Sequence, residues 1–315
     1  IMKIGFLFPG QGAQSVGMGK DLYDEYEEYR NVYKRVKQLT DVDVADITFN
    51  SSEDVLSQTK NTQICILTMS FAILELLKKE NIEVVASCGL SLGEYSALIN
   101  SGAISFEDGV QIVKKRGELM QELCPKGNWS MSAILGLDED SVFKVCNDVK
   151  SGFVAPANFN CPGQIVISGE KEAVVEAMEK AKELGAKRAI ELKTSGPFHT
   201  KMLKEASIEL KKELENISIN SFESKVIKNI DGKEYLENDD IKSILSAHII
   251  NPVKFEQSLK TMIDMGIDTF IEIGPGKTLS GFVKKVNKDF NVYNINNVDS
   301  LKNTLNQISV GGKNE

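Results

Sequence analysis

Residues 82–98 read IEVVASCGLSLGEYSAL. The first seven, Ile82 to Cys88, are a short, mostly apolar run rich in β-branched residues, the signature of a buried strand. Gly89-Leu90-Ser91-Leu92-Gly93 follows, and a helix is expected from Leu92 to about Asn100. Strand, tight glycine-flanked turn and helix in succession is the context that a G-x-S-x-G nucleophile elbow requires. A serine on so sharp a bend needs neighbours without bulky side chains. The helix N-terminus beyond it offers unpaired backbone N–H groups and the positive end of the helix dipole, which suit a developing oxyanion. Cys88, at the end of the strand, is expected to be a packing residue.

Outward from the elbow, the chain alternates strands and helices. KIGFLF at 3–8 reads as a buried strand before the turn Pro9-Gly10-Gln11-Gly12. That turn lacks the Lys-Ser/Thr of a phosphate-binding P-loop. Charged residues 20–38 and the apolar stretch 62–80 read as helices, as does 106–123. The pattern then changes. A strand at 130–136, a helix at 138–149 capped by Asp138, strands at 153–159 and 164–169 joined by a turn at 160–163, a helix at 171–184 ending before Gly185, and a strand at 187–193 give the order β-α-β-β-α-β. That order is ferredoxin-like. Helices are expected again at 200–215 and 255–265, with strand, Gly274-Pro275-Gly276 turn and helix from 268 to 286. The fold class is therefore α/β: a hydrolase-like core with a parallel sheet, at 1–127 and 195–315, and a ferredoxin-like α+β subdomain inserted at 128–194. The tail GGKNE is expected to fray.

A serine nucleophile needs a base. The 315 residues contain only two histidines. His199 lies in the turn-rich stretch Ser195-Gly196-Pro197-Phe198-His199, just after the insert, which fits either a base or a surface histidine. His248 lies in a helix before Asn251-Pro252, where a plain helix-end histidine is the simpler reading. Arg116, in Lys114-Lys115-Arg116-Gly117, belongs either to a solvated helix face or, inside a cleft, to a carboxylate site, because its fork donates two parallel hydrogen bonds.

Composition narrows the function. A net charge of -8 and a pI near 5.1 disfavour nucleic-acid binding. No apolar run approaches the roughly 18 residues of a membrane span. The start, IMKIGFLFPGQGAQ, lacks the long apolar region and cleavage site of a secretory signal. The five cysteines form neither a metal knuckle nor a disulfide framework, so reduced thiols and a cytoplasmic location are expected.

Eight segments in order, FPGQGAQ at 8–14, TQ at 62–63, GLSLGEYSAL at 89–98, RGELMQ at 116–121, ANFNCPGQIVISG at 157–169, SGPFH at 195–199, NPV at 251–253 and EIGPGKTLSGF at 272–282, resemble the malonyl-CoA:acyl-carrier-protein transacylase family of fatty-acid synthesis. The resemblance implies Ser91 as the nucleophile and His199 as its base. It implies the backbone N–H groups of Gln11 and Leu92 as the oxyanion hole, and Arg116 as the partner of the malonyl carboxylate. Gln63 and Asn158 match lining positions, and Phe198 matches a position that limits room beside the malonyl α-carbon. Malonyl-CoA and an acyl carrier protein are the implied substrates, transfer is ping-pong, and no metal or bound cofactor is implied. Lys187, Arg188, Lys284 and Lys285 are candidates for docking the acidic carrier. Two positions depart from the family pattern. Leu90 stands where histidine is usual. His248 stands where glutamine or asparagine orients the base, so its imidazole, or its backbone carbonyl alone, is expected to orient His199. The competing readings are a serine esterase or thioesterase, a carrier-docking module with a dead site, and an acyltransferase serving a polyketide synthase or malonate decarboxylase.

Overall fold

A computed structural model describes residues 1–193 and 196–311, the side chain of Val310 excepted; Ser195 of the SGPFH segment and residues 312–315 of the tail lie outside the described residues. Among the described residues there are ten strands: β1 Ile4–Phe8, β2 Val84–Gly89, β3 Trp129–Leu135, β4 Val154–Cys161, β5 Gln164–Glu170, β6 Arg188–Leu192, β7 Lys225–Val226, β8 Val253–Lys254, β9 Thr269–Ile273 and β10 Asn291–Ile295. They form two five-stranded sheets, β10-β9-β1-β2-β7 and β6-β3-β5-β4-β8.

The first sheet is parallel throughout. Its central strand, β1, is buried at every residue, as a parallel strand covered on both faces must be. The Thr59–Leu77 helix is apolar around most of its circumference and correspondingly buried. It packs with the Phe106–Glu122 helix and with β1 in the principal hydrophobic core.

The second sheet carries the insert. β3, β4, β5 and β6 pair antiparallel in the order β6-β3-β5-β4, which is the ferredoxin-like arrangement. Asp138 caps the helix after β3, its carboxylate accepting the Ser141 N–H at 2.8 Å. Beyond the order read from sequence, β8 adds to the edge of β4 in parallel, with Asn158 opposite Val253. The strand just after Asn251-Pro252 thus belongs to the insert's sheet and fastens the two parts together.

Several boundaries differ from the sequence reading. The 20–38 segment is two helices, Lys20–Glu25 and Glu27–Thr40, because Tyr26 adopts an extended conformation between them. The helix expected at 62–80 begins at Thr59 and closes in a 3₁₀ turn at 78–80. A further helix, Val298–Gly311, takes in the first residue of the GGKNE tail, where fraying is expected.

Candidate active site

The elbow forms where β2 ends and the Gly93–Asn100 helix begins. Ser91 has φ +56°, a left-handed conformation that costs a non-glycine residue about 1–2 kcal/mol. The turn from β1 lies directly on it. A Cβ on Gly10 would stand 2.2 Å from the Leu90 carbonyl oxygen, and one on Gly93 would stand 2.1 Å from the Phe8 carbonyl oxygen. Only glycine permits either approach, and the Leu92 nitrogen lies 3.7 Å from where a Gly10 Cβ would stand, so the turn holding Gly10 packs against the start of the helix. Leu90 N–H donates to the Phe8 carbonyl at 3.0 Å, and its side chain joins the apolar cluster behind the sheet. Leucine in place of histidine is therefore accommodated as a packing residue. The backbone N–H groups of Gln11 and Leu92 carry no hydrogen bond among the described residues. The Gln11 side chain is directed elsewhere, its Nε2 donating to Thr59 Oγ1 at 3.2 Å.

His199 reaches the serine from a separate segment, with Nε2 2.7 Å from Ser91 Oγ. It too has a left-handed backbone, φ +59°, and its N–H donates to the Ile249 carbonyl. The other ring nitrogen, Nδ1, lies 2.9 Å from the His248 carbonyl oxygen and 3.1 Å from that of Asn251. Carbonyl oxygens only accept, so Nδ1 carries the proton, and Nε2 presents a lone pair to the serine hydroxyl. The orienting groups are thus backbone carbonyls, and the His248 imidazole is not one of them. That ring lies against His199, with centroids 4.9 Å apart, and neither of its nitrogens has a hydrogen-bond partner among the described residues. Burial holds the His248 ring well below the ordinary imidazole range.

Burial, and then the charge of Arg116, lower the His199 pKa from 6.5 to about 4. If His199 is the base, acylation of Ser91 stays constant from neutral pH down through 6.5 and falls as pH passes about 4. Stability follows the same sign. The unfolded chain protonates this histidine near 6.5 and the folded chain only near 4, so His199 makes folding less favourable as pH drops across that window. A pH–rate profile of acylation that is half-lost near 6.5 would contradict this assignment.

Arg116 is fully buried on the Phe106–Glu122 helix, where that helix packs against the Thr59–Leu77 helix. Its lysine neighbours face outward, Lys114 and Lys115 both pairing with Glu118. The basic run therefore divides into two half-buried, outward-facing lysines and one inward arginine. Arg116 Nη1 donates to Gln63 Oε1 at 2.7 Å, and Nη2 lies 3.3 Å from Ser91 Oγ. Nε has no partner. The guanidinium also lies 5.4 Å from the centre of the Tyr95 ring. Gln63 in turn donates from Nε2 to Met120 Sδ at 3.4 Å. A buried cation one hydrogen bond from the serine, with the Nε–Nη2 edge of its fork bonded among the described residues only to that serine, suits a carboxylate on the acyl group.

The remaining candidates are less closely joined. Phe198 is buried beside His199, with its ring close against Gly196. Asn158 is 9% exposed on β4, and no hydrogen bond ties it to Ser91, His199 or Arg116 among the described residues. Lys187, Arg188, Lys284 and Lys285 are all exposed, but Lys284 folds back onto the carbonyls of Lys288 and Phe290 at 3.0 and 2.6 Å.

Two residues in the site were not singled out from the sequence. Asn229 accepts the Ser91 N–H on Oδ1 at 2.7 Å and donates from Nδ2 to the Gly89 carbonyl at 2.6 Å. Glu94, fully buried, accepts the Asn229 N–H at 2.6 Å and the Tyr235 hydroxyl at 3.2 Å, and burial pushes its carboxyl up to about 7. Asn229 lies in Lys228-Asn229-Ile230-Asp231-Gly232, which locally signals only a turn.

Residues 5–306 match the acyl transferase domain family. The chain is 43% identical over 302 residues to the malonyl CoA-acyl carrier protein transacylase of Bacillus subtilis, covering 95% of each, and 41% identical to that of Staphylococcus aureus, covering 95% of this chain and 97% of that one. The chain belongs to the malonyl CoA-acyl carrier protein transacylase family. Among solved structures, the family's Clostridium perfringens member superposes with a TM-score of 0.94 at 48% identity, over 98% of both chains. A malonyl-transacylase solved in complex with a type II PKS acyl-carrier protein superposes at 0.93 with 34% identity, over 97% of this chain and 99% of that one. Family membership fixes the fold class read from the sequence, a parallel α/β core with a ferredoxin-like second sheet. Among the described residues of this transacylase-family chain, no three-ligand cluster of His, Cys, Asp or Glu occurs, and no helix is long and apolar enough to cross a membrane.

Proposed function

We propose that this family member transfers a malonyl group from malonyl-CoA to the phosphopantetheine thiol of an acyl carrier protein, through a malonyl ester on Ser91. The observation that carries the reading is the buried Arg116 guanidinium 3.3 Å from Ser91 Oγ: Glu94 acts on its charge only at longer range, no carboxylate pairs with it directly among the described residues, and a carboxylate on the acyl group would supply that direct partner. Ser91 Oγ attacks the thioester carbon as His199 Nε2 takes the hydroxyl proton. The oxyanion accepts hydrogen bonds from the Gln11 and Leu92 backbone N–H groups. Collapse of the intermediate breaks the C–S bond, and His199 returns the proton to the departing CoA sulfur. The carrier thiol then gives its proton to His199, attacks the ester carbon and releases Ser91, which recovers its proton. Every step is an acyl or proton transfer among these groups, so the scheme calls for no bound cofactor.

In the same reading Gln63 fixes the Arg116 fork, Phe198 and Asn158 line the acyl end of the cleft, and the His248 carbonyl orients the base. The chain divides into a catalytic part at 1–127 and 195–315 and a small subdomain at 128–194, and it works in the cytoplasm. The test is steady-state kinetics with both substrates varied. Parallel double-reciprocal lines and a malonylated carrier are expected; hydrolysis of malonyl-CoA at the same rate without carrier would instead identify a thioesterase. The solved complex with a type II PKS carrier makes a polyketide carrier the second acceptor to include.

Lys187, Arg188 and Lys285 are the docking cations in this reading, since the Lys284 amine is occupied by its own turn. Reversing the charge at Lys187 and Arg188 together is expected to raise the KM for carrier protein by about tenfold at low salt, with the KM for malonyl-CoA unchanged. An unchanged carrier KM would remove both residues from the surface.

A further inference from the structure

Asn229 is fully buried, and each of its polar groups is committed. Its side chain grips the two ends of the elbow, taking the Ser91 N–H at 2.7 Å and giving a hydrogen bond to the Gly89 carbonyl at 2.6 Å. Its backbone N–H is held by Glu94 Oε1 at 2.6 Å. Its carbonyl accepts the Lys254 N–H at 2.8 Å. Lys254 lies on β8, three residues after Asn251, whose carbonyl helps hold His199 Nδ1. One residue therefore joins the turn that carries Ser91 to the segment whose carbonyls orient its base.

Two consequences follow from these bonds. Ser91 sits at φ +56°, a conformation that persists only where surrounding contacts over-determine it. The Asn229 side chain supplies those contacts on both sides of Leu90. The Ser91 N–H, once taken by Asn229, is also withdrawn from the oxyanion, so the donor role passes to Leu92, the next residue.

We propose that Asn229, held by Glu94, is a positioning residue for the nucleophile: it fixes Ser91 Oγ against His199 Nε2 and aims the Leu92 N–H at the oxyanion. The proposal rests on Ser91 being the nucleophile. Asn229 does not meet Arg116, so its loss acts on the rate of attack and leaves malonyl-CoA affinity alone.

The test is single-turnover acylation of Ser91 by malonyl-CoA, comparing the unaltered protein with Asn229→Ala and Asn229→Asp, each checked for folding by circular dichroism. Asn229→Ala releases both ends of the elbow and is expected to lower the limiting acylation rate about 100-fold, the scale of misplacing one oxyanion donor. Asn229→Asp keeps an acceptor for the Ser91 N–H but sets a carboxylate oxygen against the Gly89 carbonyl, and a loss of about tenfold is expected. In both, the half-saturating malonyl-CoA concentration should change by less than about threefold. If the unaltered protein is not acylated, the proposed function fails, whatever Asn229 does. If it is acylated and either folded variant reacts at the unaltered rate, the positioning role is overturned. A parallel loss of rate and affinity, or failure of Asn229→Asp to fold, would mark Asn229 as purely structural and overturn the proposal equally.

Discussion

Replacing Ser91 by alanine is expected to lower malonyl transfer by about 10⁴-fold or more, and to abolish any covalent adduct, while leaving the fold intact. The size of the effect comes from the chemistry assigned to the oxygen. Without Oγ there is no acyl-enzyme, and the oxyanion donors and Arg116 can only bind malonyl-CoA without reacting with it. Stability should change little or rise slightly, because alanine removes the Oγ contacts to His199 Nε2 and to Arg116 but keeps the left-handed backbone that Asn229 holds. His199→Ala should fall within about tenfold of the serine variant, since residues that act as one unit do not contribute additively. His248→Asn retains the backbone carbonyl that faces His199 Nδ1 and should keep most of the activity. The quantity to measure is transfer to carrier protein in each variant, alongside thermal unfolding. A His199→Ala protein with near-native transfer would remove it as the base.

Removing the Arg116 charge, by Arg116→Ala, is expected to change substrate choice more than overall competence. Malonyl-CoA carries a free carboxylate and acetyl-CoA does not. Truncating one partner of a buried charge pair costs about 2–5 kcal/mol, so kcat/KM for malonyl-CoA should fall by about 30- to 5,000-fold. Acetyl-CoA gains nothing from the guanidinium and must leave it unpaired, so its kcat/KM should stay level or rise. Arg116→Lys should recover little, because a single ammonium cannot present the Nε–Nη2 fork while Gln63 occupies the other edge. Gln63→Leu is a milder version of the same loss. The comparison that decides is the malonyl-to-acetyl ratio of kcat/KM in the native and variant proteins. An unchanged ratio would separate Arg116 from the acyl carboxylate.

Much of the fold was legible because its signals are local. The IEVVASC run, the glycines around Ser91 and the Asp138 cap each determine the backbone near them, and the order of elements from 130 to 193 is ferredoxin-like before any contact is known. The addition of β8 to the edge of β4 was not legible, since a two-residue strand carries no periodicity and its partner lies almost a hundred residues away. The break at Tyr26 was missed for a related reason: one extended residue in a charged helical stretch leaves no compositional mark.

The site divides in the same way. Ser91 and His199 could be found because the elbow has a spacing and histidine is scarce. Arg116 sits in a run of three cations, and only packing reveals that two face water and one faces the serine. Asn229 had no signal, because its importance lies in four hydrogen bonds to residues distant in the sequence. The His248 departure was ambiguous for a physical reason as well. The group that orients His199 is a main-chain carbonyl, which every residue type supplies, so the identity of the side chain says nothing about whether the function is kept.

The central claim is that Ser91 carries the malonyl group as an ester. The most direct measurement is to mix the protein with malonyl-CoA, acetyl-CoA and methylmalonyl-CoA separately, quench, and find by peptide mass spectrometry where mass has been added. A malonyl adduct is expected on the peptide containing Ser91, strongest with malonyl-CoA and discharged by a carrier-protein thiol. No adduct from any of the three, or a malonyl adduct on another residue that persists in Ser91→Ala, would contradict it.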